Sequence, residues 1–286
     1  MKLMHMLAVL MLIAAPACAE IAPLPIDLSG GMPISQSNLL SETVYEDASI
    51  RVELSEQMAG VTKCHIARVT IADPTQLRTA PAYAFNRDQV APMDAIAKRV
   101  NAVVAVNGDY FSYQRARGSF MIRQGQQYID DPIEGRDVLI IDSNGDFHIE
   151  TVIDEAVREK FRTLGIVNSF NFGPGIVREG EVLTHSEAAY NAAQKKAARS
   201  CIAQIERGRM EYLIVVSEGP DESSGGGLTL VEFAAFVSTL GVQNAYNLDG
   251  GNSAALIFMG EKINAADNPY HRPLSDIIYF GSAVQE

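Results

Sequence analysis

The chain has no tryptophan, and its 286 residues include only three cysteines and 23 basic side chains against 35 acidic ones. A net charge of −12 carries no basic footprint for nucleic acid or anionic lipid, so a general nucleic-acid binder is excluded. So few cysteines exclude a disulfide scaffold, and none has the spacing of a zinc site. One apolar run, 6–15, is long, and it falls short of the roughly 20 residues that cross a bilayer, so no transmembrane anchor is expected. No fixed-period repeat, low-complexity tract or Gly-x-Ser-x-Gly nucleophile elbow occurs.

What is present is an ordinary globular composition, 47% hydrophobic and 20% charged, enough for a sizeable core. Lys2 and His5 precede the apolar run, and Pro16 with Ala17-Cys18-Ala19 follows it. This is the layout of a secretory signal over 1–19 with cleavage after Ala19, implying a periplasmic or secreted protein. Pro16 and Ala17 suit lipidation at Cys18 poorly. Cleavage leaves Cys64 and Cys201, either as one disulfide or as two buried thiols. Residues 20–47, rich in Pro, Ser and Gly without periodicity, read as an N-terminal extension, a tether or a segment lying on the surface. Residues 48–286 contain no obvious linker and read as one domain.

Alternation at 50–54 predicts a strand, as does the β-branched run over 61–71. Residues 88–100 read as a helix capped by Asp88, with Pro92 in its first turn. The apolar strand over 102–106 suggests burial on both faces. Short strands are expected over 119–123, 126–129, 138–142 and 147–150, with a hairpin turn at Asn144-Gly145, and a helix over 152–161. Residues 184–198 read as a helix or a loop, and 199–205 and 212–216 as strands. The clearest helix is 229–240, where Thr229 and Glu232 form a capping box and Gly241 ends it. Strands over 245–248, 254–259 and 276–280 complete a mixed α+β fold, many short strands packed with a few helices in a single compact domain.

Three polar clusters adjoin apolar strands: Asn107-Gly108-Asp109, Glu218-Gly219 with Gly225-Gly226-Gly227 before the Thr229 helix, and Asn247-Leu248-Asp249-Gly250-Gly251-Asn252-Ser253. Strand ends are where sheets commonly place ligands. Glycine beside aspartate permits a sharp turn and close approach of a ligand to backbone amides, which makes an anion site without net positive charge. Asn-Gly and Asp-Gly also serve as plain hairpin turns. A hairpin does not require Gly250-Gly251 between Asp249 and Ser253.

Residues 247–253, preceded by Gly227-Leu228-Thr229-Leu230-Val231-Glu232-Phe233-Ala234 and Gly241, resemble the phosphodiester glycosidase family. In the family's order follow Val106-Asn107-Gly108-Asp109-Tyr110-Phe111, Gly173-Pro174-Gly175-Ile176-Val177, Arg199-Ser200-Cys201-Ile202-Ala203 and His271-Arg272-Pro273-Leu274, so the resemblance spans about 60–281. The chain departs from the family pattern at Asp109, Ala203, Pro220, Asn252 and Ala254.

The resemblance implies cleavage of a sugar 1-phosphodiester to sugar and phosphomonoester, with a sugar-phosphate diester or envelope glycan as substrate. Such a reaction needs a carboxylate to place water at, or attack, the anomeric carbon while the phosphate charge is held. The catalytic candidates are Asp249, Glu218, Asp109 and, as a bidentate phosphate clamp, Arg199. Asn107, Gly226, Gly227, Thr229, Asn247, Gly250, Gly251, Ser253, His271 and Arg272 are the substrate-binding candidates. His65 and His148 read as structural or surface residues. No cofactor is required, and a divalent cation stays open. A non-catalytic glycan- or envelope-binding module and a metal-dependent phosphodiesterase are the alternative readings.

Overall fold

The alternation at 50–54 and the β-branched run after it become one hairpin, Ile50–Ala59 against Thr62–Ile71, in a computed structural model that describes residues 20–109, 118–183, 194–220, 225–264 and 272–285. The hairpin lies within a nine-stranded sheet. Its strands run in the order Glu181–Val182, Gly175–Arg178, Asn244–Asn247, Ser200–Gln204, Glu211–Ser217, Thr62–Ile71, Ile50–Ala59, Val44–Glu46, Leu39–Ser41. A five-stranded sheet has the order Glu261–Lys262, Leu256–Phe258, Ala102–Asn107, Asp276–Gly281, Leu77–Pro81. Smaller sheets comprise Phe147–Glu150, Val138–Asp142 and Ile166–Phe170, and the Ser119–Arg123/Gln126–Asp131 hairpin. The described helices are α1 (Met93–Arg99), α2 (Glu155–Leu164) and α3 (Leu230–Ser238), and the fold is α+β.

The two-residue period of a strand explains the layering. Val52, Val69, Ile214, Val216 and Tyr246 leave the large sheet on one face and meet Val104, Val106, Leu256, Ile278 and Phe280 of the five-stranded sheet in one core. Cys64, Ile66, Ala203, Leu213 and Val215 leave on the other face, where α3 covers them with Leu230, Phe233, Ala234 and Val237. Burying each large apolar side chain there contributes roughly 1.5–3 kcal/mol. The strand Ala102–Asn107 is buried throughout, as its composition predicts: Val104 and Val106 face the core, and Ala102 and Ala105 face Met93, Ile96 and Ala97 of α1.

Helix α1 begins at Met93 and not at Asp88. The residue before a proline is pushed out of the helical region, and Ala91 bridges Leu274 in extended form. Helix α2 starts after Asp154, whose carboxylate accepts from the Val157 amide. The capping box of α3 is as read, with Thr229 Oγ1 accepting from the Glu232 amide and Glu232 Oε2 accepting from the Thr229 amide. Of the segment 184–198, residues 184–193 lie outside the described part; Ala197 bridges Leu228. Residues 1–19 also lie outside it.

Cys64 and Cys201 are buried free thiols. Cys201 pairs with Val215 and Cys64 with Ser217, so a whole strand separates them, farther than the roughly 7 Å between Cα atoms that a disulfide spans. Among the described residues no helix is long and apolar enough to cross a membrane.

Regular structure starts before Ser49, because Leu39–Ser41 and Val44–Glu46 extend the large sheet. Earlier still, the chain is pinned by Arg78, which is fully buried. Its Nη2 donates to the carbonyls of Asp27 (3.1 Å) and Ser29 (2.9 Å), Nη1 to that of Thr75 (3.1 Å), and Nε to the Tyr279 hydroxyl (3.1 Å). Arg78→Met strands these acceptors. It is expected to cost about 1–3 kcal/mol in urea unfolding and to open the chain near residues 27–29 to limited proteolysis.

Candidate functional site

Five strands bring one end to a common place. Asn107 closes its strand where Asp276 opens the neighbouring one, Ser200 begins and Ser217 ends adjacent strands, and Asn247 ends another. The loop after Asn247 is tied to both sheets through a single carbonyl: the Asp249 main-chain oxygen accepts from Asn107 Nδ2 (2.7 Å) and from Ser200 Oγ (2.8 Å). Asn107 Oδ1 in turn accepts from the Ala255 amide (3.3 Å).

Backbone proximity dictates the glycine pair. A Cβ on Gly250 would stand 2.7 Å from the Ala198 carbonyl oxygen. That same oxygen accepts from the Gly251 amide (2.8 Å), and Gly251 sits at φ +58°. A short 3-10 turn, Gly251–Ser253, then aims Ser253 inward.

Within this loop three buried side-chain atoms, Asn247 Oδ1, Asp249 Oδ2 and Ser253 Oγ, make no hydrogen bond of standard geometry among the described residues, with the Ser253 hydroxyl close enough to Asp249 to favour its charged form. Each such group costs about 1–3 kcal/mol and calls for an explanation. Asn247 Nδ2 is engaged, donating to the Gly173 carbonyl (2.8 Å). Burial raises the Asp249 carboxyl above the usual range. The Ser253 hydroxyl, Arg272 and the Gly250 amide offset part of that rise, and Asp276 adds to it.

Beneath the loop lies a buried ion cluster. Arg123 Nη2 faces Asp109 Oδ2 (3.4 Å) and Asp276 Oδ2 (3.3 Å), with its guanidinium 4.4 Å from the Phe170 ring centroid. Asp109 also accepts from the amides of Asn171 (2.7 Å) and Phe172, and its own amide donates to Asp276 Oδ1 (3.1 Å). Gly108 is required here, since a Cβ would lie 2.4 Å from Asp276 Oδ1. Burial pushes the Asp109 carboxyl up to about 7 against the pull of Arg123, and raises Asp276 as well.

The other sequence candidates divide. Arg199, expected as an anion clamp, lies beside Gly250, but its Nε donates to the Leu228 carbonyl (2.9 Å) and its Nη2 to that of Lys195. A guanidinium this buried must satisfy its donors within the protein. Thr229, expected to bind substrate, spends its hydroxyl on the α3 cap. Gly227 adopts φ +78°, packed against Pro220 and Ala197, and its carbonyl accepts from Thr62 Oγ1; Gly226 beside it is buried. Glu218, just past its strand, bonds His65. Arg272 is exposed and near enough to Asp249 to favour its charged form. His271 lies outside the described residues.

Sequence reasoning missed Asp276, Arg123, His65 and Lys262. The last is half-buried on an edge strand, and burial depresses it while the charge of Glu218 counteracts. No local pattern marks any of them; only the sheet register brings them in. His148, by contrast, bonds Asp142 (3.0 Å) and stacks edge-on against Phe161, a structural role as expected. An open groove of about 330 Å³, lined by residues such as Arg178 and Lys160, includes none of the strand-end residues, whereas a second of about 370 Å³, lined by residues such as Ile26 and Tyr128, includes Arg123 of the ion cluster. Among the described residues no group of three or more His, Cys, Asp or Glu is arranged to hold a metal.

Two large sheets, with a carboxylate-bearing loop cluster where their strands end, make this an α+β protein. A family model for phosphodiester glycosidases matches residues 100–281, and the chain belongs to that family. Among solved structures it is similar to the catalytic domain of zebrafish N-acetylglucosamine-1-phosphodiester alpha-N-acetylglucosaminidase, auto-inhibited by its pro-peptide. That match has 16% identity and a TM-score of 0.64, and covers 90% of this chain and 87% of that one. A hypothetical protein from Synechocystis matches at 18% identity and TM-score 0.56, over 84% of this chain and 64% of that one. A protein described as exported, from Burkholderia pseudomallei, matches at 12% and 0.50, over 77% and 74%. Comparison with curated proteins returns no match.

The raised Asp109 carboxyl has a consequence for stability. It holds its proton to higher pH in the native state than in the unfolded chain, so between about pH 4 and 7 the folded protein binds more protons, and this contribution to stability falls as pH rises through that window. Asp109→Asn removes the titration. The dependence of unfolding free energy on pH, measured in urea at pH 5, 6 and 7, is expected to become shallower in that direction; an unaltered slope rejects the assignment.

Proposed function

We propose that this protein is an exported hydrolase that cleaves a sugar 1-phosphodiester in a cell-envelope or extracellular glycan, releasing the sugar and a phosphomonoester. The observation that carries the reading is the trio of unpartnered polar atoms, Asn247 Oδ1, Asp249 Oδ2 and Ser253 Oγ, in one loop where both sheets end. A sugar's hydroxyls and anomeric centre supply the partners that the protein leaves out. Family membership supports the reaction class. Export is supported by the leader pattern over 1–19 and by the description of the Burkholderia relative.

In this reading Asp249 is the carboxylate that acts at the anomeric carbon, directly or through the attacking water. Its charged form there is favoured by Arg272. A phosphomonoester is a good leaving group, so proton donation to it is a modest requirement, and Glu218 is the acid–base partner. Arg272 and Lys262 hold the phosphate charge. Asn107 fixes the Asp249 main chain, Asp109 and Asp276 with Arg123 fix the floor beneath it, and Arg199 frames the loop walls through Leu228 and Lys195.

The test is release of free reducing sugar from a UDP-sugar or another sugar 1-phosphodiester in oxygen-18 water. Label is expected in the sugar. Label in phosphate, with loss of turnover in a chelator, marks a metal-dependent phosphodiesterase, and binding without release marks a glycan-binding module. Asp249→Asn is expected to lower kcat by roughly 10²–10⁴-fold with the fold intact; full activity in that variant rejects the assignment.

A further inference from the structure

We infer that His65 is a positioning residue that holds the Glu218 carboxylate in its working orientation, an inference that rests on the role given to Glu218 above. His65 is buried in the strand Thr62–Ile71, its side chain 5% exposed, and its Nε2 stands 2.6 Å from Glu218 Oε1. Strand parity places it with Ala67 and Val69 on the face that meets the second sheet. That is the side from which Lys262 acts on Glu218.

At 2.6 Å a ring nitrogen and a carboxylate oxygen cannot both be acceptors, so when Glu218 is ionised Nε2–H donates to its Oε1. The opposite ring nitrogen makes no hydrogen bond, although a second carboxylate stands nearby. Glu56 is the cross-strand partner of His65 in the sheet register, and its Oε1 lies 3.2 Å from Nδ1, outside hydrogen-bond geometry. Lys63 holds Glu56 in turn at 3.0 Å. The imidazole therefore sits in a Glu56–His65–Glu218 line running from the surface to the strand-end cluster, with its N–H pointed at the inner carboxylate. The neighbouring backbone fixes the other end, because the Glu218 amide donates to the Lys63 carbonyl (2.8 Å). Glu218 is thus gripped from the same strand through main chain and side chain.

A histidine that merely packs would affect folding and leave the catalytic parameters alone. The discriminating experiment measures kcat and KM on one sugar 1-phosphodiester for the full chain, for His65→Leu and for His65→Gln, whose side-chain amide can restore an N–H near the Nε2 position. The three are repeated in a Glu218→Gln background, and each protein is checked for a cooperative unfolding transition. His65→Leu is expected to lower kcat by about 10–100-fold with KM little changed, His65→Gln to recover most of the loss, and His65→Leu to cost nothing further once Glu218 is Gln. Equal loss in His65→Leu with and without Glu218, or wild-type kcat in His65→Leu, overturns the inference. If Glu218→Gln alone turns over at the wild-type rate, the role of Glu218 fails, and the inference with it. If Glu218→Gln has no measurable turnover, the Gln rescue decides: equal losses in His65→Leu and His65→Gln overturn the positioning role.

Discussion

One main-chain oxygen holds the working end of this molecule together. The Asp249 carbonyl accepts from Asn107, which belongs to the five-stranded sheet, and from Ser200, which belongs to the nine-stranded one. Across the core between them the sheets meet through apolar side chains, whose attraction is not directional and sets no angle between particular loops. The two hydrogen bonds convert that packing into a fixed placement of the Asp249 loop over both sheet ends. Gly250 and Gly251 follow from the same constraint, since any side chain at 250 would displace the strand that carries Ser200.

Fixing the loop this firmly leaves polar atoms inside it unsatisfied. A protein selected for stability alone would give Asn247 Oδ1, Asp249 Oδ2 and Ser253 Oγ well-aligned partners of its own or replace them with apolar groups. Their retention, next to a carboxyl raised by burial, is the pattern of a site that is completed by something other than the protein. The contrast with Asp109 is instructive. That carboxylate is buried more deeply than Asp249, but Arg123 and the amides of Asn171 and Phe172 occupy it, which makes it a buttress.

Local chemistry was legible in the sequence wherever it acts over a few residues. The Thr229–Glu232 box, the buried strand after α1 and the unusual Asp249-Gly250-Gly251 segment were all readable, because capping, period and backbone strain are short-range. Pairings that close across the sheets were not. Asp276 meets the Asp109 amide across 167 positions, and Arg123 reaches both carboxylates only because Ser119–Arg123 lies against the Phe170 end of another strand. Arg199 shows the reverse: its charge suggests a ligand contact, and the fold adds carbonyl partners at Leu228 and Lys195 that no sequence pattern announces. His65 was dismissed as structural on its strand position, which was right about the strand and silent about Glu218 at its end.

Charge is not spread evenly over this acidic chain. Asp109, Asp249, Asp276 and Glu218 gather at the strand ends, and Arg123, Arg199, Arg272 and Lys262 accompany them, so formal charges of both signs are matched there while the whole carries −12. Burial shifts this further, because the raised Asp109, Asp249 and Asp276 carboxyls each hold their protons more readily than solvent-exposed acids do. The cations are stratified: Arg123 lies in the floor, Arg199 in the walls, and Arg272 and Lys262 nearer solvent. On the proposed reading, a phosphodiester would meet the exposed cations first and the carboxylates after them, with the phosphate outside and the sugar toward Asp249.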